Sequence, residues 1–317
     1  MPKVRKLSVK ISAPNWLEAV EEFLLVKRAQ GRAERTINDY FYHLNKFFAD
    51  FPDAWPDYHA LKAAVNKHFA GLTQMSNSSY NLRREYLGAF FRWSVSEGYL
   101  VGNPLEGIPK RKDEGRPRSL DERAVKALLA GIDTSRYSGL RDYALILFQL
   151  DCGIRPGEAL KLFPEHFDLR SLEVFIPGSI SKTKQARTVV ISAQTAKVIK
   201  KLLQVRPEEW GPDVPVFASQ DGREMPVSTW SHRVNKLAQE VGIKATPYSL
   251  RHTSAIMQLR NGASAFHVQK QLGHSDLQMT KRYVHLVKAD LHREHGLCSP
   301  VANLLGERKR VKRKLFF

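Results

Sequence analysis

A tyrosine serves as a nucleophile only in the company of cations or bases, because a phenol with an unperturbed pKa of about 10 attacks poorly at neutral pH. The stretch LGHSDLQMTKRYVHL, residues 272–286, carries such a tyrosine, Tyr283, with His274 nine positions before it. By spacing alone Tyr283 can equally be a packing residue. With Leu277, Val284 and Val287 it repeats at helical intervals behind a Ser275 or Asp276 cap. Its helpers must come from elsewhere in the chain. Arg155 and Glu158 in CGIRPGEAL lie three apart, so a helix would let the carboxylate hold the guanidinium, for chemistry or as a plain structural ion pair. The segment SKTKQAR offers Lys182 and Lys184 at an exposed tip. In YSLRHTSAIMQLRNG, Tyr248 and Arg251 can share one helical face, whereas His252 points about 100° away from Arg251, a direction that favours a buried structural role.

The elements that must position these residues read as mainly α with a small antiparallel sheet. Trp16, Leu17, Val20, Phe23, Leu24 and Val26 mark a first amphipathic helix, and Ile37, Tyr40, Phe41, Leu44, Phe47 and Phe48 a second that Pro52 interrupts. A third covers about 58–70, and a fourth runs from after Ser76 to Gly98. Lys27, Arg28, Arg32, Arg35, Lys46, Arg83, Arg84 and Arg92 are expected on the exposed faces of this module, available to phosphates or merely solvated. A Pro, Gly and charge-rich segment then separates it from a second set of helices, the first capped by Ser119 and the next nearly all apolar up to Asp151-Cys152-Gly153. Alternation at Leu172, Val174 and Ile176 and the β-branched run 188–191 predict the sheet, with a further short strand at 216–218. Helices return at 194–205, 227–241, about 248–261 and 264–272. The implied segments are a flexible basic lead-in (1–13), a helical domain (14–107), a linker (108–117), a second domain (118–287), and a C-terminal helix with a basic tail (288–317).

Charge narrows the function further. Fifty Lys and Arg against 32 Asp and Glu leave a net charge of +18, which calls for a polyanionic partner, nucleic acid before a membrane surface. No run approaches the ~18 apolar residues of a spanning helix, and MPKVRKLSVK lacks the apolar core of a signal peptide, so export is not expected. Cys152 and Cys298 are too few for a disulfide framework or a thiolate zinc site; both read as small buried residues in a reducing cytoplasm. His292 and His295 lack the spacing of helical zinc ligands, and no phosphate-cradling G-x-x-x-x-G-K-[ST] occurs.

Taken in order, with a basic hairpin between the first two, CGIRPGEAL, YSLRHTSA and LGHSDLQMTKRYVH resemble the two arginine boxes and the nucleophile box of the tyrosine site-specific recombinases, the phage integrase family. The helical first domain is similar to the core-binding domain of that family's Xer and integrase branch. The resemblance implies a SAM-like helical core-binding domain joined to a tyrosine-recombinase catalytic domain. It also implies a site of Arg155, Lys182, Tyr248, Arg251, His274 and Tyr283, with Glu158 in support. Attack on a phosphodiester requires charge neutralised on the non-bridging oxygens, a proton removed from the nucleophile and a proton given to the leaving 5′-oxygen. Two guanidiniums can neutralise in place of a metal clamp, so neither metal nor cofactor is expected. Lys182 is favoured over Lys184 as the acid because the family's hairpin lysine is commonly followed by Thr. His274 would bond the phosphate or assist proton movement. One position departs from the pattern: relatives begin the second box with His, and here it is Tyr248. Its phenol would hydrogen-bond the phosphate, leaving the proton of Tyr283 to His274 or water.

The implied partners are double-stranded DNA clamped between the domains, a homotetramer on two DNA sites, and accessory DNA-bending proteins, in the cytoplasm and associated with the nucleoid. Two other readings stay open. One is a type IB topoisomerase-like enzyme that relaxes supercoils as a monomer; the other is a non-cleaving DNA-binding regulator of the same fold.

Overall fold

The computed structural model describes residues 15–112, 119–273, 280 and 283. Expectations for the lead-in, for His274, for Cys298, His292 and His295, and for the tail beyond 288 lie outside the described residues. The chain divides into two compact units, Met1–Arg116 and Pro117–Phe317.

The first unit is helical. Helix α1 (Trp16–Ala29) starts at Asn15, whose side chain accepts from the Glu18 amide while Glu18 bonds back, a reciprocal cap that satisfies two otherwise orphaned donors. Helices α2 (Glu34–Asp50), α3 (Tyr58–Ala70) and α4 (Asn77–Ser96) follow, the last two capped by Asp57 and Ser76. Their apolar stripes meet in an aromatic core. Phe23 and Phe48 present edges to Phe90 at 5.5 and 5.9 Å, and Phe47 meets Phe91 at 6.0 Å. Residues 108–112, expected as linker, are strapped to α4. Arg84 Nε donates to the Ile108 carbonyl (2.7 Å), Asn81 exchanges two bonds with the Arg111 backbone, and the Arg111 guanidinium lies 3.8 Å over Tyr80. Arg28 and Arg92 are likewise paired, with Glu34 and Glu85, so part of the charge expected to face solvent is used within the unit.

The second unit begins with α5 (Glu122–Ala130), capped by Asp121 rather than Ser119 because the Asp carboxylate reaches the Ala124 amide. Helix α6 (Tyr137–Cys152) forms its centre, and it is less apolar than its pattern suggested: Arg141, Asp142 and Gln149 are buried beside Leu145, Ile146 and Phe148. Each is satisfied. Gln149 accepts from Trp230 Nε1 (2.8 Å), and Asp142 is shared by Arg141 and Arg233. Cys152 is fully buried, and that burial pushes its thiol up to about 12. Short helix α7 (Pro156–Ala159) leads to an antiparallel sheet of β1 (Phe167–Asp168), β2 (Glu173–Ile176) and β3 (Arg187–Val190), with Val174 opposite Val189 and Ile176 opposite Arg187. Strand β1 was not foreseen, and Leu172 lies in the turn after it with a left-handed φ of 61° instead of in β2. Residues 216–218 are buried but form no strand. They meet side chains and loop backbone instead: Val216 N bonds the Leu162 carbonyl, and the Ala218 carbonyl receives Tyr137 and Arg141.

Helices α8 (Ala193–Gln204), α9 (Val227–Glu240), α10 (Pro247–Arg260) and α11 (Ala265–Leu272) complete the unit. Among the described residues no helix is long and apolar enough to cross a membrane.

Because Asp142 is the shared carboxylate for two guanidiniums in a buried setting, removing it strands both charges. Asp142→Ala should lower the unfolding free energy by about 3–5 kcal/mol, read from urea denaturation.

Candidate active site

The site is assembled where α6 ends and α11 ends, and glycine makes both ends possible. Gly153 closes α6 with φ 64°, and a methyl added there would lie 2.3 Å from Leu272 Cδ2. Gly273 closes α11 with φ 65°, and its added methyl would lie 2.6 Å from Arg187 Nε. These close approaches bring backbone carbonyls to the arginines. Arg251 donates to the Gly153 carbonyl (2.6 Å) and the Leu272 carbonyl (3.0 Å), while Arg155 donates to the Gly273 carbonyl (3.0 Å). Two like charges are therefore held on consecutive carbonyls of one turn.

Glu158 supplies the countercharge. Its carboxylate accepts from Arg155 Nη1 (3.1 Å) and Arg187 Nη2 (2.6 Å), and also meets the Lys182 amide at 3.4 Å. Burial works to raise its pKa, but the hydrogen bond and charge of Arg187, then those of Arg155, prevail and hold the carboxyl below its usual range. Arg251 is only 4% exposed. Burial, followed by the charge of Arg155, pushes it down to about 10, with Tyr283 and Glu158 acting in the opposite sense.

Tyr283 is 5% exposed and packs with Ala255, Ile256, Val268 and Leu272, so the packing role that its spacing allowed is occupied. Its hydroxyl is nevertheless engaged: Oη lies 2.6 Å from Nδ1 of His252. The turn of His252 away from Arg251 holds, but it leads to the nucleophile candidate. Ala255, Ile256 and Leu259 follow His252 at three, four and seven residues on α10, and that stripe is the one packed around Tyr283.

The other candidates separate. Lys182 and Lys184 are both exposed; the Lys182 amide is tied to Glu158, whereas Lys184 occupies the loop tip with a φ of 55°. Tyr248, expected to share the face of Arg251, is 54% exposed. It sits in the first turn of α10 between buried Pro247 and Ser249, so it occupies the outward direction of a turn whose other side chains are packed. Arg187 was missed. The signal was present in the strand alternation, since Arg187 falls two positions before buried Val189 and so faces inward with it. Among the described residues no group of three or more His, Cys, Asp or Glu side chains could hold a metal ion.

A helical domain whose small sheet braces paired arginines behind a buried tyrosine is the build of the tyrosine recombinases, enzymes that cleave and rejoin DNA through that side chain. Residues 118–290 match the Phage integrase family, more than half of the chain, and the chain belongs to that family. The tyrosine recombinase XerD of Pseudomonas aeruginosa is 30% identical over 283 residues, covering 84% of this chain and 92% of the relative. XerC of Alcanivorax borkumensis is 32% identical over 225 residues, covering 68% and 72%. Among solved structures, XerH recombinase bound to a palindromic difH substrate matches with a TM-score of 0.69 at 21% identity, over 88% of this chain and 83% of that one. A lambda integrase tetramer bound to a Holliday junction matches with a TM-score of 0.69 at 16% identity, over 86% and 78%. Identities this low show the shared fold. With the family match they make the protein a site-specific recombinase and favour neither supercoil relaxation nor binding without cleavage.

Glu158→Gln would leave Arg155 and Arg187 without an anion and should cost about 3 kcal/mol of stability near neutral pH. Since the carboxyl's folded pKa is depressed, its contribution is complete above the ordinary Glu value and is lost as pH falls through the lowered one. Urea melts should therefore show the gap between parent and variant narrowing as pH falls below the ordinary Glu value of about 4.3.

Proposed function

We propose that Tyr283 attacks one phosphodiester of each DNA strand, forms a 3′-phosphotyrosyl link and frees a 5′-hydroxyl, and that four copies on two DNA sites exchange strands through this intermediate. The observation that carries the reading is the pair of guanidiniums, Arg155 and Arg251, fixed on the consecutive carbonyls of Leu272 and Gly273, with Tyr283 close enough to act on the charge of Arg251. Fixed forked donors lose little reorganisation energy when charge develops on a phosphoryl oxygen, and they neutralise it where many nucleases use a metal. The link to Tyr283 conserves the energy of the broken backbone bond, so religation draws on no nucleotide.

Lys182 is the general acid that protonates the leaving 5′-oxygen. Its backbone is anchored to Glu158 beside the arginines while its side chain remains exposed to reach DNA. Tyr248 meets the phosphate by hydrogen bonding from the exposed side, and His274 bonds a phosphate oxygen. The surplus positive charge holds the duplex. The tetramer is supported by the lambda integrase neighbour, which is a tetramer on a Holliday junction. Such an enzyme acts on nucleoid DNA in the cytoplasm, with accessory DNA-bending proteins to bring sites together.

A nicked suicide DNA substrate in EDTA should trap a covalent complex with the parent and none with Tyr283→Phe; trapping by the variant would remove Tyr283 from the reaction. Replacing the bridging 5′-oxygen by sulfur makes a leaving group that needs no acid. Lys182→Ala should lose about 10²-fold or more on the oxygen substrate and recover on the sulfur one, whereas Lys184→Ala should cleave both like the parent.

A further inference from the structure

The proton of Tyr283 was expected to pass to His274 or water; His274 lies outside the described residues, and Tyr248, expected only to hydrogen-bond the phosphate, is an exposed phenol. A base touches the nucleophile from elsewhere. Nδ1 of His252 and Oη of Tyr283 are 2.6 Å apart, a distance at which one heteroatom donates directly to the other, and the rings meet at 5.7 Å between centroids with a 46° tilt. We infer that His252 is a catalytic residue, the general base that accepts the phenolic proton as Tyr283 attacks DNA. The inference rests on the reading of Tyr283 as nucleophile.

The geometry asks for a neutral imidazole with its proton on Nε2, so that the Nδ1 lone pair faces the hydroxyl. The surroundings enforce that state. Burial first, and the charge of Arg251 second, lower the pKa of His252 from its ordinary value. Arg251, the next residue on α10, and Tyr283, packed against the same stripe, are the ionisable groups facing it among the described residues. Arg155 ahead of α7, Glu158 on α7 and Arg187 on β3 act on Arg251.

The step balances. The Oη–H bond breaks and its proton passes to Nδ1, the Oη–P bond forms, and the P–O5′ bond breaks as the leaving oxygen takes a proton from Lys182. Religation reverses each transfer, the imidazolium returning its proton to Oη when the 5′-hydroxyl displaces it. The same cluster that packs Tyr283 shields this hydrogen bond from water, which strengthens it.

His252→Asn keeps a group able to hydrogen-bond the phenol but unable to hold its proton at neutral pH. Single-turnover cleavage of the suicide substrate by this variant should fall about 10²-fold or more, with DNA binding unchanged in gel shift. Sulfur at the bridging position should not restore it, since the defect is in the nucleophile and not in the leaving group. In the parent, cleavage of the sulfur substrate should rise with pH along a limb centred below about 6.5, and the variant should lack that limb. Cleavage by His252→Asn at the parent rate would overturn the assignment. Faster cleavage would also overturn it, by making the contact a restraint on Tyr283. If the variant proves unstable, the unmodified enzyme decides: a flat profile below about pH 6.5 excludes His252 as the base. Loss of trapping in Tyr283→Phe is read separately, so failure of the nucleophile assignment is distinguished from failure of the base.

Discussion

The constraint on which the catalytic unit depends is the holding of three guanidiniums around one carboxylate in a poorly hydrated place. Arg155, Arg187 and Arg251 converge there, and Glu158 is the anion that acts on them. Left alone, such an excess would be expelled to solvent or would unfold the unit. Backbone dipoles hold it in place. Three carbonyls, those of Gly153, Leu272 and Gly273, accept from Arg155 and Arg251, which spreads the positive charge without cancelling it. Among the described residues Nε and Nη1 of Arg187 have no hydrogen-bond partner. A site that is underneutralised by construction binds an anion favourably, and in the proposed reaction a phosphodiester brings the missing charge. The cost of gathering the cations is met during folding, so little reorganisation remains when the phosphorane-like charge develops.

That arrangement explains why two glycines matter more than their size suggests. Gly153 and Gly273 each terminate a helix in the left-handed region, and at each a side chain of another element occupies the space a Cβ would need. A larger residue would push Leu272 away from Gly153, or Arg187 away from Gly273. Either displacement moves the carbonyls that brace the guanidiniums. Helix termination, close packing and electrostatics are here one structural decision, made where the first and third sequence boxes meet.

The sequence disclosed the parts that obey local periodicity. Helix positions and the stop glycines follow from spacing and residue type, and Arg155, Arg251 and Tyr283 stand out through the order of the three boxes that carry them. What stayed hidden depends on elements distant in the chain. The direction of His252 relative to Arg251 was readable on α10, but its consequence was not, because the partner on that side arrives thirty-one residues later. Arg187 sat within a basic segment whose lysines drew attention, and only the strand register turns it inward opposite Ile176. Tyr248 shows the converse: three residues from Arg251 is close on a helix, yet Tyr248 is 54% exposed while Pro247, Ser249 and Leu250 of the same turn are buried. In α6, Asp142 and Gln149 passed unread within a nearly all-apolar run, since their partners Arg233 and Trp230 come from α9.

Tyr283 joins these scales, because its two readings are not alternatives. A phenol in open water exchanges hydrogen bonds with solvent, and a histidine beside it would be one acceptor among many. Enclosed by Ala255, Ile256, Val268 and Leu272, the same hydroxyl has its bond with His252 screened from that competition. Packing thus does chemical work, limiting the directions in which the proton can move and aligning the oxygen in advance. On the proposed role of Tyr283 as nucleophile it also sets a requirement on the substrate: DNA must reach a residue that is 5% exposed, so the scissile phosphate has to displace part of the shell around the phenol. Binding energy from phosphates remote from the break can drive that displacement, which couples recognition of the whole site to exposure of one oxygen.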